Sequence, residues 1–316
     1  MARRLLALLV LAATVLVACG GGEQAGAGGG GLSVVVTTTH VADLARNVAG
    51  RRAEVTSLLR ANTDPHDFEP RPSDARALAE GDLVLRSGGE IDEWLAGLIE
   101  STGGNAPVID LMGAVRTIEG GEHDHAEDGD ERQAASTDPH WWLDPRNAMA
   151  AVKRIRDVLI EADPEGRTAY QRNAAAFLDR LRASDEAIAA CMEAVPADER
   201  KLVTNHDALG YFAARYDIEV VGTVLPALST SAQPSAGQIA ELVETIEREG
   251  VRTIFPQSQL GAGLEQALAR ETGARGGPPL WTDALGPEGS PGATYLDALG
   301  FNAQAMARGF GGSCSL

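Results

Sequence analysis

Three histidines stand far apart in the chain, each in a short turn marked by Pro or Asn: Asp64-Pro65-His66, Asp138-Pro139-His140 and Asn205-His206-Asp207. Only six histidines occur in 316 residues, so three in such similar settings form a pattern. Neutral imidazole is the commonest protein ligand for a transition metal, and zinc takes about four N, S or O donors. Donors this distant in sequence cannot make a local finger. They require a site that the fold assembles from several loops.

The elements that would bring those loops together read as alternating strands and helices. The β-branched run 32–39 predicts a buried parallel strand, followed by a helix over 41–49 that Gly50 stops. A strand over 53–59 leads to the loop with His66, and a helix starts near Ser73. Strands over 83–85 and 107–110 flank a helix over 90–99. From 146 to 194 the apolar spacing is helical, and 164–194 predicts one helix of about 30 residues, roughly 45 Å long. Alternation then resumes: a strand over 201–204 runs into His206, and strands follow over 219–223, 253–255 and 279–281, the last ending near Asp283. The predicted fold class is α/β, with two similar (βα) lobes carrying parallel sheets, 32–163 and 196–316, joined by one long rigid helix over 164–195. Open α/β sheets bind ligands at the carboxyl ends of their strands, so the two edges would face each other across an interlobe cleft. His66, His140, His206 and Asp283 would meet there as three imidazoles and a carboxylate, a four-ligand set with no obligatory open position.

These residues carry a family resemblance. The segments Asp64-Pro65-His66-Asp67-Phe68-Glu69-Pro70, Asp138-Pro139-His140-Trp141-Trp142-Leu143-Asp144-Pro145, Thr204-Asn205-His206-Asp207-Ala208-Leu209-Gly210-Tyr211-Phe212 and Thr282-Asp283-Ala284-Leu285-Gly286 resemble the four metal-site motifs of the zinc/manganese solute-binding proteins of ABC transporters. Within this ZnuA-like group the sequence resembles the AztC-type zinc binders. The resemblance spans about residues 32 to 310 and implies one metal in the cleft, held by His66, His140, His206 and Asp283, and delivery to a membrane permease. A periplasmic zinc metallochaperone is a further candidate partner. His206 stands where manganese-type members tend to offer a carboxylate, so the resemblance favours Zn²⁺ as the transported ion, with Mn²⁺ next. Many members carry Glu where this chain has Gln257, which cannot supply an anionic ligand. Gln257 is therefore expected behind the ligands, while Glu69 and Asp144 are expected to orient imidazole N–H groups.

Other features bound the reading. His40 ends the first predicted strand and reads as a hydrogen-bonded loop histidine rather than a ligand, and Trp141 and Trp142 as packing beneath the cleft. The segment 119–135 has no apolar periodicity; its His123 and His125 would either collect metal or simply belong to a solvated acidic loop. Arg3 and Arg4 precede an apolar run over 5–17 that closes on Ala18-Cys19, so 1–18 reads as a signal peptide and Cys19 as a lipidated N-terminus. The Gly-rich stretch 19–31 would tether the protein to the membrane outside the cytoplasm. Cys191 and Cys314 would then form a disulfide in an oxidising compartment.

A net charge of −18 repels phosphate backbones, which excludes nucleic acid as the expected partner. The expected protein is a monomer without covalent chemistry. A manganese or iron binder of the same fold is the first alternative. A zinc hydrolase is weaker, because the chain lacks His-Glu-x-x-His or a paired acid, and an adhesin-like protein has only the surface anchor in its favour.

Overall fold

The apolar, β-branched run at the start of the folded chain forms β1 (Leu32–Val36), whose Val34, Val35 and Val36 are fully buried. The computed structural model describes residues 31–120 and 136–316. Around β1 lie β2 (Ala53–Ser57), β3 (Leu83–Arg86) and β4 (Val108–Asp110), in the order β2-β1-β3-β4 and all parallel. The helices between them are α1 (Thr39–Ala49), α2 (Pro72–Glu80) and α3 (Trp94–Thr102). A two-residue antiparallel ribbon, β5 (Glu119–Gly120) with β6 (Ser136–Thr137), brackets the segment 121–135. Cys19, His123 and His125 lie outside the described residues.

The helical stretch that follows begins with α4 (Pro145–Ala162). Asp144 caps it by accepting from the Arg146 N–H, and Pro145 occupies the first turn, where a missing N–H costs nothing. A short 3₁₀ turn over Pro164–Gly166 precedes α5 (Arg167–Glu193), 27 residues and thus about 40 Å of helix. Its apolar residues Tyr170, Ala174, Phe177, Leu181, Ile188 and Met192 recur at helical spacing and are buried. They face α1, α4 and, further on, α9.

The second half repeats the first. Strands β7 (Lys201–His206), β8 (Glu219–Leu225), β9 (Thr253–Phe255) and β10 (Arg275–Gly276) form a parallel sheet in the order β10-β9-β7-β8. In each half the first strand lies between the second and the third, with the fourth outermost on the third strand's side. Helices α6 (Gly210–Tyr216), α7 (Ala236–Glu249), α8 (Gly263–Thr272) and α9 (Tyr295–Gly309) complete it. The main core is continuous between the halves: Val36 and Leu44 from the first, Phe177 and Leu181 from α5, and Leu202, Phe255 and Tyr295 from the second belong to one buried cluster.

Three expectations need correction. The first helix starts at Thr39, so His40 is helical rather than in a loop. It is buried, neither ring nitrogen has a hydrogen-bond partner, and the ring stacks on Trp142 at 5.0 Å. Thr38 causes the shift, since its hydroxyl caps the helix by accepting from the Val41 N–H. The strand expected over 279–281 reduces to a single bridge between Gln257 and Leu280, and the edge strand is β10 instead. The expected single helix over 164–194 starts with the 3₁₀ turn at Pro164. Cys191 and Cys314 are brought together with Cα atoms 5.4 Å apart, within disulfide reach. Among the described residues, no helix is long and apolar enough to cross a membrane.

Candidate metal centre

The two Asp-Pro-His tripeptides fold alike. In each, an aspartate oxygen accepts the backbone N–H of the histidine two residues on, at 3.0 Å for Asp64 to His66 and 2.9 Å for Asp138 to His140. Aspartate favours this local turn, and the intervening proline fixes φ for it. His66 is carried by the loop after β2, anchored where the Asn62 N–H donates to the Leu285 carbonyl of the other half at 2.8 Å. Asn62 takes a positive φ of 56° there, a conformation asparagine tolerates. His140 follows the β5–β6 ribbon, not a strand of the parallel sheet. His206 ends β7, and Asp283 follows the Gln257–Leu280 bridge.

The fold brings these four side chains together. One donor atom from each of His66, His140, His206 and Asp283 lies within 4.8 Å of all the others. The imidazole Nε2 atoms of His66, His140 and His206 lie 3.9, 3.6 and 3.3 Å from Asp283 carboxylate oxygens. His140, His206 and Asp283 are completely buried, and the His66 side chain is only 4% exposed. All three Nε2 atoms and Asp283 Oδ1 lack a hydrogen-bond partner. Leaving one buried polar atom unpaired costs about 1–3 kcal/mol, so four converging on one point mark a cradle for a cation. A zinc ion bonded at about 2.0–2.1 Å in a tetrahedron sets its donors about 3.4 Å apart, near the 3.3–3.9 Å between the imidazole nitrogens and Asp283 and within the 4.8 Å that bounds the whole set. The residues present therefore fit a small divalent metal.

What surrounds the donors fixes their protonation. Burial drives the His66 pKa down to about 3; Asp283 partly opposes this, and His140 and His206 add to it. Burial and the neighbouring His140 also hold His206 well below its usual range, so both rings are neutral, the form that binds metal. Burial acts the same way on His140, yet the charge and hydrogen bond of Asp138, helped by Asp283, outweigh it and raise this ring. His140 Nδ1 donates to Asp138 Oδ1 at 2.7 Å, which leaves Nε2 free to face the centre. His206 Nδ1 donates to Gln257 Oε1 at 2.6 Å with the same result.

The expected supporting residues divide accordingly. Gln257 lies behind His206. Asp144 does not orient an imidazole: its carboxylate caps α4 and pairs with Arg146 at 2.7 Å. Glu69 is exposed, while Phe68 takes the buried position in that loop. The orienting carboxylate is Asp138, unassigned from the sequence although the repeated Asp-Pro-His signalled it. Two further residues were unforeseen. Gln259 Nε2 donates to Asp283 Oδ2 at 2.6 Å, and the Thr230 hydroxyl donates to Asp64 Oδ2 at 2.7 Å. Trp142 lies beneath the site: its ring centroid is 5.5 Å from that of His140, and its indole N–H donates to the Thr282 carbonyl at 2.8 Å.

Two parallel sheets that converge on a buried set of three imidazoles and one carboxylate define a cation-binding protein. Residues 34–309 match the family model of the zinc-uptake complex component A, periplasmic (ZnuA), and the chain belongs to that family. It is a metal-binding, substrate-binding protein of ABC transporters and not an enzyme. The manganese-binding lipoprotein MntA of Halalkalibacterium halodurans is 30% identical over 269 residues, 85% of each chain. The iron-binding protein YfeA of Yersinia pestis is 30% identical over 280 residues, covering 86% of this chain and 84% of that one. Among solved structures, the periplasmic zinc binding protein TroA of Treponema pallidum superposes with a TM-score of 0.78 at 24% identity, covering 89% of this chain and 99% of that one, and supports the fold.

Proposed function

We propose that this protein binds one Zn²⁺ through His66, His140, His206 and Asp283 and presents it to an ABC permease. The observation that carries the reading is the donor set itself: three imidazole nitrogens and one carboxylate within 4.8 Å of one another, buried and unpaired. Nitrogen-rich, closed sites of this kind suit zinc on ligand softness and geometry, whereas manganese suits oxygen-rich octahedra. The protein acts outside the cytoplasm. Cys19 is the proposed lipid attachment point, with a periplasmic metallochaperone as a candidate donor of the metal. Because α5 packs along both halves, release proceeds by small loop adjustments rather than a wide opening of the lobes.

Competition titration of the exported protein, read by native mass spectrometry, tests the metal. One zinc per chain that resists a large excess of manganese is expected. Manganese displacing zinc at comparable concentrations would sink the zinc reading, and full zinc occupancy in His66→Ala and Asp283→Ala would sink the site. The second reading is a manganese or iron carrier. It draws on MntA and YfeA and on one local fact: both Asp283 oxygens face the imidazoles, Oδ1 towards His140 and Oδ2 towards His66 and His206.

A further inference from the structure

Two amide side chains behind the second half's donors form a closed circuit with them. Gln259 Nε2 lies 2.6 Å from Asp283 Oδ2, 3.3 Å from Gln257 Oε1 and 3.3 Å from the Thr282 hydroxyl. Gln257 Oε1 in turn accepts from His206 Nδ1. Asp283 reaches towards the imidazoles with both oxygens, so nothing in its own position decides whether it binds a metal through one oxygen or two. The difference between the oxygens comes from Gln259: Oδ2 carries its short hydrogen bond, while Oδ1 has no partner.

We infer that Gln259 is a positioning residue that sets metal selectivity by holding Asp283 to one metal-binding oxygen. The inference rests on the four-ligand reading above. A hydrogen bond to a carboxylate is stronger than one between neutral groups, and a donor on Oδ2 competes with a cation for that oxygen's lone pairs. The cation then meets three nitrogens and one oxygen, the four-coordinate arrangement zinc favours. Without the amide, both oxygens turn to the metal and the coordination number rises, which favours manganese relative to zinc. Gln257 offers no substitute, because its oxygen rather than its amide nitrogen faces Gln259. Gln259 is only partly buried and belongs to no strand or helix, so it can be changed with little effect on the core.

Cobalt is the probe, since four-coordinate Co²⁺ absorbs visible light far more strongly than five- or six-coordinate Co²⁺. The mature protein and Gln259→Met, which keeps the length but lacks the donor, are loaded with Co²⁺ and then titrated with Zn²⁺ and Mn²⁺ in competition. The expected results are an intense visible band in the wild type, its collapse in the variant, and a zinc-to-manganese preference lowered by about 10- to 100-fold. Should Gln259→Met fold poorly, Gln259→Ala reads the same two quantities. A wild type that takes up neither cobalt nor zinc overturns the four-ligand reading itself. A wild type that binds both, beside variants with an unchanged band and unchanged preference, overturns only the role of Gln259. Equal weakening of zinc and manganese with the band retained also overturns it, since that is what a merely structural contact would give.

Discussion

The two Asp-Pro-His turns share a tripeptide and a backbone hydrogen bond, yet their aspartates do different things. Asp138 is buried and folds its carboxylate back onto its own histidine's ring. Asp64 is half-buried and gives its second oxygen to Thr230, in a loop of the other half. One aspartate therefore tunes its histidine's ring, and the other ties its histidine's loop to the second half. The tripeptide specifies the turn, and the surroundings specify the carboxylate's task. Asp138 follows the ribbon beside α6, walled in by Tyr211 and Gly210, whereas Asp64 bonds to the Thr230 loop.

The comparison can be broken at several levels. Removing either ring should have the largest effect. His66→Ala and His140→Ala are each expected to weaken zinc binding by more than about 100-fold, beyond the range of residues behind the ligands, as measured by calorimetric competition. A His66→Ala protein with near-normal affinity would reduce that turn to scaffolding. One step down, Asp138→Asn should cost about 10- to 100-fold in zinc affinity. Asp64→Asn should change affinity less than that and instead speed zinc release, because it weakens a tie rather than a ligand. Equal affinity losses in stopped-flow and equilibrium titrations would erase the distinction.

The turns should also answer pH with opposite signs in the metal-free protein. His66 falls from the usual 6.5 to about 3 on folding, so the unfolded chain takes up its proton first. Its contribution is lost as pH falls from about 6.5 towards 3. His140 is raised on folding, so its contribution is full below 6.5 and is lost as pH climbs through the raised value. His40, also pushed down to about 3 by burial, adds to the acid loss. Thermal melting of the apo protein should therefore drop between pH 6.5 and 4, less steeply in His40→Phe. An Asp138→Asn protein should lose the extra stability that wild-type His140 gives below 6.5. The smallest effect is expected at Glu69→Ala, within about 0.5 kcal/mol in stability and unchanged in zinc affinity, since the side chain is exposed and holds no ligand.

Much of this was legible in the sequence. The alternation of β-branched runs with helical spacing indicated the parallel sheets and the long helix, and the solitary histidines marked the side chains that the fold gathers, although only His206 ends a sheet strand. What stayed hidden depends on contacts distant in sequence. Trp142 and Thr282 are 140 residues apart, and Thr230 and Asp64 are 166 apart. Local pattern cannot register such pairs. Glu69 and Asp144 looked suitable because they are carboxylates near histidines, but direction decided otherwise. Phe68 holds the buried position of that loop and leaves Glu69 exposed, and a helix start claims Asp144. A single capping threonine moves a helix boundary by two residues from where the apolar spacing places it, which makes His40 a buried helical side chain rather than a loop one.

Trp142 lends the site a built-in optical reporter. Its indole lies between His40 and His140, is tethered to the residue before Asp283, and has its own carbonyl held by the Tyr295 hydroxyl at 2.5 Å. A divalent cation held by the imidazoles would impose its field on a ring tethered at both its indole N–H and its carbonyl. Tryptophan emission is therefore expected to change as the cleft fills, and Trp142→Phe, among the four tryptophans of the chain, to remove that change, so loading can be followed by light without attaching a dye.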